Sequence, residues 1–205
     1  MTTPARLVPL LAEFDWGYQR LHDRMTGPDG DSGNGTRIKI PAMTDAEYRW
    51  EPVPGCWSVR PRASGPGQRA TGLAGAGEWG RDTAVEQPWP PPFATIAWRL
   101  SHLSEMLEMR ADYTAGSRSM TRETYRVSGD AAGGIEAFRR GAAAWRAAVA
   151  SADDAALDTV GLCTYPYGSD VDDAFIDLVW WVNQELLHHG AEIAMLRDLY
   201  RERHR

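Results

Sequence analysis

The chain has 205 residues and a formal net charge of −6, enough length to bury one sizeable core and too acidic a balance for nucleic acid or an anionic membrane as main partner. Its two cysteines, Cys56 and Cys163, are far apart, which excludes a disulfide framework and a Cys-x-x-Cys redox or zinc-ribbon site. Neither a basic-then-apolar leader pattern nor an apolar run of membrane-spanning length occurs, so a soluble cytoplasmic protein is expected.

Thr3-Pro4 reads as a helix start, with threonine as cap and proline at the first helical position. Leu7, Leu10, Leu11, Phe14, Tyr18, Leu21 and Met25 follow at helical spacing, and Gly27-Pro28 ends the run. His22 near that end reads as a surface residue. Residues 29–35 read as a flexible polar loop, without the glutamate that a calcium loop needs at its twelfth position. Thr44-Asp-Ala-Glu47 is a capping box that opens a short helix. Residues 51–92 form a loop-rich excursion with no strand pattern, which Trp57, Trp79 and Trp89 are expected to pin to the body.

A second long helix is predicted over residues 94–113. Ile96, Leu100, Leu103 and Leu107 make one apolar line; Trp98, His102, Met106, Met109 and Tyr113 make an adjacent one. A third helix is predicted over 131–151, with Gly133-Gly134 weakening its first turn. Residues 153–168 read as a connector. The last helix, predicted over 175–200, takes its cap from Ser169 or Asp170. Arg197, Arg201, Arg203 and Arg205 cluster at its end, where they complement the negative pole of the helix. Four long amphipathic helices give an all-α four-helix bundle, one domain over residues 1–205.

The chemistry lies in ionisable residues set within apolar stripes. Glu185 and His189, four apart, project from one face of the last helix, and His102 is centred in an apolar face of the second. A carboxylate on a buried face is costly unless something pairs with it. Two imidazoles and one carboxylate suit zinc, iron or nickel with coordination positions left open. The same three residues also suit a metal-free buried His–Glu network. His188 points about 100° away from His189 and reads as a supporting residue. Glu192, three beyond His189, reads either as a supporting group behind the ligands or as a base, or as a surface residue. Glu105, one turn from His102, is an alternative carboxylate ligand; Met106 and Met109 read as core. No phosphate-cradling glycine loop, Gly-x-Ser-x-Gly elbow or His-Glu-x-x-His helix occurs.

Three stretches, Trp50-Glu-Pro-Val-Pro-Gly-Cys-Trp-Ser-Val, Thr95-Ile-Ala-Trp-Arg-Leu-Ser-His102 and Glu185-Leu-Leu-His-His189-Gly-Ala-Glu-Ile, with Leu196-Arg-Asp-Leu-Tyr after them, resemble the DinB-like superfamily. That group includes mycothiol-dependent maleylpyruvate isomerases and bacillithiol transferases. Many members carry three histidines; Glu185 is similar to the His, Glu, His set of the isomerase branch. The resemblance implies a four-helix bundle in which His102, Glu185 and His189 hold a divalent metal, zinc with nickel or iron as alternatives. It also implies a metal-dependent S-transferase acting on a small thiol of mycothiol or bacillithiol type and an electrophilic small molecule. A homodimer is a candidate assembly. The isomerases have a further C-terminal domain, whereas this chain ends soon after its last helix, so an electrophile other than maleylpyruvate is expected. The rival expectations are a non-enzymatic stress or ligand-binding protein with a structural or vestigial metal, and a metal-dependent hydrolase.

Overall fold

The computed structural model describes residues 3–27, 40–168 and 170–205. Among these, four long helices carry the fold: α1 (Leu7–Thr26), α3 (Ile96–Ala115), α4 (Ala131–Ala150) and α6 (Phe175–Arg203). Short helices α2 (Asp45–Tyr48) and α5 (Asp154–Leu157) lie between them. A small sheet also forms, from β1 (Val59–Pro61), β2 (Gly72–Ala74) and β3 (Trp79–Thr83). Its order is β1-β3-β2, all antiparallel, with Val59 opposite Arg81 and Leu73 opposite Asp82. The sheet corrects the expectation of an excursion without strands. Residues 29–35, expected to be a polar loop, lie outside the described residues.

Side-chain caps form at four helix starts, α5 with Asp153 among them, and are absent at two. Thr44 accepts from the Glu47 N–H, as the capping box requires, and Thr95 and Asp130 cap α3 and α4 in the same way. α1, however, begins at Leu7 behind Arg6 with no side-chain cap, so Thr3 does not serve as one; the Leu7 N–H reaches the Pro4 carbonyl instead. α6 begins behind Ala174, also without a side-chain cap. Asp170 is engaged elsewhere, accepting from Arg110 Nη1 at 2.6 Å, and Ser169 lies outside the described residues.

Cross-helix contacts fix the directions of the four helices. Arg24 reaches the Ala194 carbonyl and Asn183 reaches the Leu10 carbonyl, so α1 and α6 run parallel. Arg146 binds Asp15 while Tyr18 packs on Phe138, so α4 runs antiparallel to α1. Arg99 meets Glu192 while His102 meets Glu185, so α3 runs antiparallel to α6. Leu7, Phe14, Leu100, Leu103, Leu107, Phe138, Trp145, Phe175, Val182 and Ile193 fill the space between them. Each large apolar side chain so buried contributes about 1.5–3 kcal/mol. Gly134, in the first turn of α4, is needed there: a Cβ would come within 2.7 Å of the Tyr48 hydroxyl, itself fully buried and donating to the Ser128 carbonyl.

The sheet is held by polar groups more than by apolar ones. Asp82 is wholly buried on β3; it accepts from the Ser58 N–H and Arg60 Nε through one oxygen and from the Gly67 N–H through the other, each at 2.8 Å. Its backbone carbonyl takes the indole N–H of Trp98 at 2.8 Å, which ties β3 to the start of α3. Of the three tryptophans expected to pin the excursion, Trp57 is buried and Trp79 packs under Arg49, but Trp89 is almost fully exposed and pins nothing.

Arg197 also departs from expectation. It is not a charge placed at the negative end of a helix. Its guanidinium is buried and pairs with buried Glu47 through two hydrogen bonds, of 2.6 and 3.0 Å, and donates a third to the Pro41 carbonyl. The pair ties α2 to α6.

Candidate metal centre

The antiparallel crossing of α3 and α6 brings His102, Glu185 and His189 together. The Oε2 atom of Glu185 lies 3.3 Å from His102 Nε2 and 3.4 Å from His189 Nε2. The two imidazole rings stand edge to face with centroids 5.0 Å apart. One ligand atom from each residue falls within 4.8 Å of the others. A tetrahedral zinc ion with ligands at about 2.0–2.1 Å has edges of about 3.3–3.4 Å, so the two spacings at Glu185 match two edges of such a site. The donor set, two nitrogens and one carboxylate oxygen, is the one such ions take.

The electrostatics favour an ionised carboxylate between the two rings and pull the rings in opposite directions. Hydrogen bonds from His102 and then His189 hold Glu185 far below the usual carboxylate range, against the opposing effect of burial. Burial lowers the pKa of His102, and the nearby charge of Arg81 adds to this. Burial also pulls on His189, but its bonds to Glu185 and Glu192 outweigh it and raise that pKa. Glu192 is opposed by burial as well, yet the His189 bond and the charge of Arg99 bring it below its ordinary value.

The residues around the triad fall into distinct places. Glu192 Oε2 lies 2.6 Å from His189 Nδ1, on the side of the ring away from Glu185, so this partly exposed carboxylate supports the ring from behind. Exposed His188 stacks on His189 with centroids 4.7 Å apart, and its Nε2 lies 3.5 Å from Glu192 Oε1. His188, His189 and Glu192 form the other group among the described residues that could hold an ion; it shares His189 with the first. Glu105 belongs to neither group. It is buried against Arg81, with Arg122 on its other side, and so is corrected from alternative ligand to ion-pair partner. Met106 and Met109 are core.

Several residues at the site gave little warning in the sequence. Trp98 stacks on His102 at 5.5 Å, with Trp57 next to it at 6.0 Å, so these two rings wall one side. Arg81 reaches from β3 over the Trp98 ring. Arg99, three residues before His102, pairs with Glu192. The i, i+3 spacing of Arg99 and His102 was the available signal, since it places both on one face of α3.

Fold and site together define a mostly helical protein with a small sheet and a half-buried two-histidine, one-glutamate cluster between two antiparallel helices. The family model of the DinB superfamily matches residues 40–193, well over half of the chain, and the chain belongs to that superfamily. No curated protein and no solved structure gives a significant match. No helix is long and apolar enough to cross a membrane among the described residues.

Proposed function

We propose that this protein is a metal-dependent enzyme of the thiol S-transferase class, built on a four-helix bundle and working in the cytoplasm. The observation that carries the reading is the single carboxylate oxygen of Glu185 facing Nε2 of both His102 and His189 at zinc-like spacing. His102, Glu185 and His189 would hold the ion, zinc or else nickel or iron. Bound there, a divalent cation supplies the positive charge that keeps a small thiol of mycothiol or bacillithiol type in its thiolate form near neutral pH.

The chain's own groups account for the rest. Glu185, ionised throughout the physiological range, cancels one of the cation's charges and leaves the site attractive to an anionic sulfur. Glu192, 2.6 Å from His189 Nδ1, is placed to hold the ring from behind. Trp98, partly exposed and backed by buried Trp57, offers flat apolar surface against which an electrophilic small molecule can be oriented. The two cysteines are buried, and burial raises both thiol pKa values, so the nucleophilic sulfur is assigned to a second substrate and not to the chain.

The test is thiol consumption against a panel of electrophiles, comparing wild type with His189→Ala. Consumption by wild type alone supports the reading. Equal consumption by both rejects metal-centred thiol chemistry and leaves a ligand-binding or stress role.

Metal affinity should depend on pH in a direction that the site sets. Protons compete for the same nitrogens that hold the ion. His189 has a raised pKa, so competition begins at a higher pH than for an ordinary histidine, while Glu185 stays ionised. Affinity is expected to fall on the order of tenfold per pH unit as pH drops through the His189 titration, for one displaced proton. Competition titrations with a chromophoric chelator at several pH values measure this. A flat profile through that range would contradict His189 as a ligand.

A further inference from the structure

Glu185 and Glu192 address opposite nitrogens of one ring. Glu185 Oε2 lies 3.4 Å from His189 Nε2, and Glu192 Oε2 lies 2.6 Å from Nδ1. A neutral imidazole has one proton, so the two carboxylates compete for it. With the proton on Nδ1, the ring donates to Glu192 and turns a lone pair toward Glu185 and His102. With the proton on Nε2, the ring donates to Glu185 and the lone pair faces Glu192. Only the first arrangement gives three converging donors.

Arg99 stands where this competition is decided. Its Nη1 bonds the same Glu192 oxygen that receives His189 Nδ1. The side chain is 11% exposed, and the guanidinium lies 5.6 Å over Phe93. Its Nε is buried and has no hydrogen-bond partner among the described residues. The guanidinium is thus oriented for Glu192 with a buried donor of its own left unpaired. The other neighbour of that carboxylate, His188, is exposed and 3.5 Å from the opposite oxygen.

We infer that Arg99 is a positioning residue that selects the Nδ1–H tautomer of His189 by holding Glu192, as an anion, against that nitrogen. Arg99 on α3 thereby prepares a donor on α6, so that both helices must be docked before the three donors converge. The tautomer choice is a property of the metal-free chain. Its consequence for metal affinity rests on the reading under Proposed function.

Long-range nitrogen–proton correlation spectra of the full, metal-free chain read the tautomer directly, at a pH above the histidine titration range. Wild type and Arg99→Lys, which keeps a cation, should both show His189 protonated at Nδ1. Arg99→Met and Arg99→Gln should show a mixture or the Nε2–H form, and their zinc affinity should fall about 10–100-fold. Two neutral variants are used so that a folding failure of one, seen by circular dichroism, leaves the other to decide. An unchanged Nδ1–H signal in a folded neutral variant would overturn the inference. Should wild type bind no zinc, the metal reading fails, while the tautomer comparison still decides the role of Arg99.

Discussion

Glu47→Ala is expected to lower the stability of the protein by about 3–5 kcal/mol, because it leaves the charge of Arg197 buried and unpaired. Arg197 is 1% exposed and Glu47 is 3% exposed, so water cannot replace the lost carboxylate without opening the α2–α6 contact. The two hydrogen bonds between them and the one to Pro41 join segments about 150 residues apart in sequence. The double variant Glu47→Leu/Arg197→Met should cost less than Glu47→Ala, since it removes both buried charges and leaves apolar side chains in their place. Urea unfolding of the three proteins measures the order. A Glu47→Ala protein within about 0.5 kcal/mol of wild type, the range of ordinary surface substitutions, would show that the pair is not closed in solution.

His102→Ala and His189→Ala are each expected to abolish stoichiometric binding of a divalent ion. Neither variant keeps three free donors: Glu105 is committed to Arg81, and the other candidate group among the described residues, His188, His189 and Glu192, shares His189 and has its Glu192 held by Arg99. Wild type saturated with zinc at 100 times its dissociation constant gains about 2.7 kcal/mol from binding, because the ion binds the native state and not the unfolded chain. Chelation should therefore lower the melting temperature of wild type and leave both alanine variants unmoved. Retention of that chelation response in both variants would remove these histidines from the site.

Much of this was legible in the sequence because helices advertise themselves by period. Leu100, Leu103 and Leu107, or Leu178, Val182 and Leu186, can only meet on one face of a helix, and all six are buried. The triad was legible for a related reason: His102, Glu185 and His189 interrupt apolar stripes, and a polar group there demands a partner. The sheet was not legible. β1 and β2 are three residues long, Pro61, Gly72 and Gly80 are poor strand residues, and its buried hub is an aspartate, so no alternation of apolar and polar residues marks it. Arg197 and Arg99 were hidden for the opposite reason to the triad. An arginine on a helix is ordinarily a solvated charge, and only the partner across the fold, Glu47 or Glu192, turns it inward. The cap of α6 failed because Asp170 had a stronger claim on it from Arg110, whose guanidinium is buried 4.1 Å over Tyr165.

X-ray absorption spectroscopy of the zinc-loaded protein, purified without a histidine tag, tests the central claim most directly. The account predicts one zinc per chain surrounded by nitrogen and oxygen at about 2.0–2.2 Å, with the outer scattering of two imidazole rings. A spectrum without imidazole scattering, or a protein that takes up no zinc under these conditions, would contradict it.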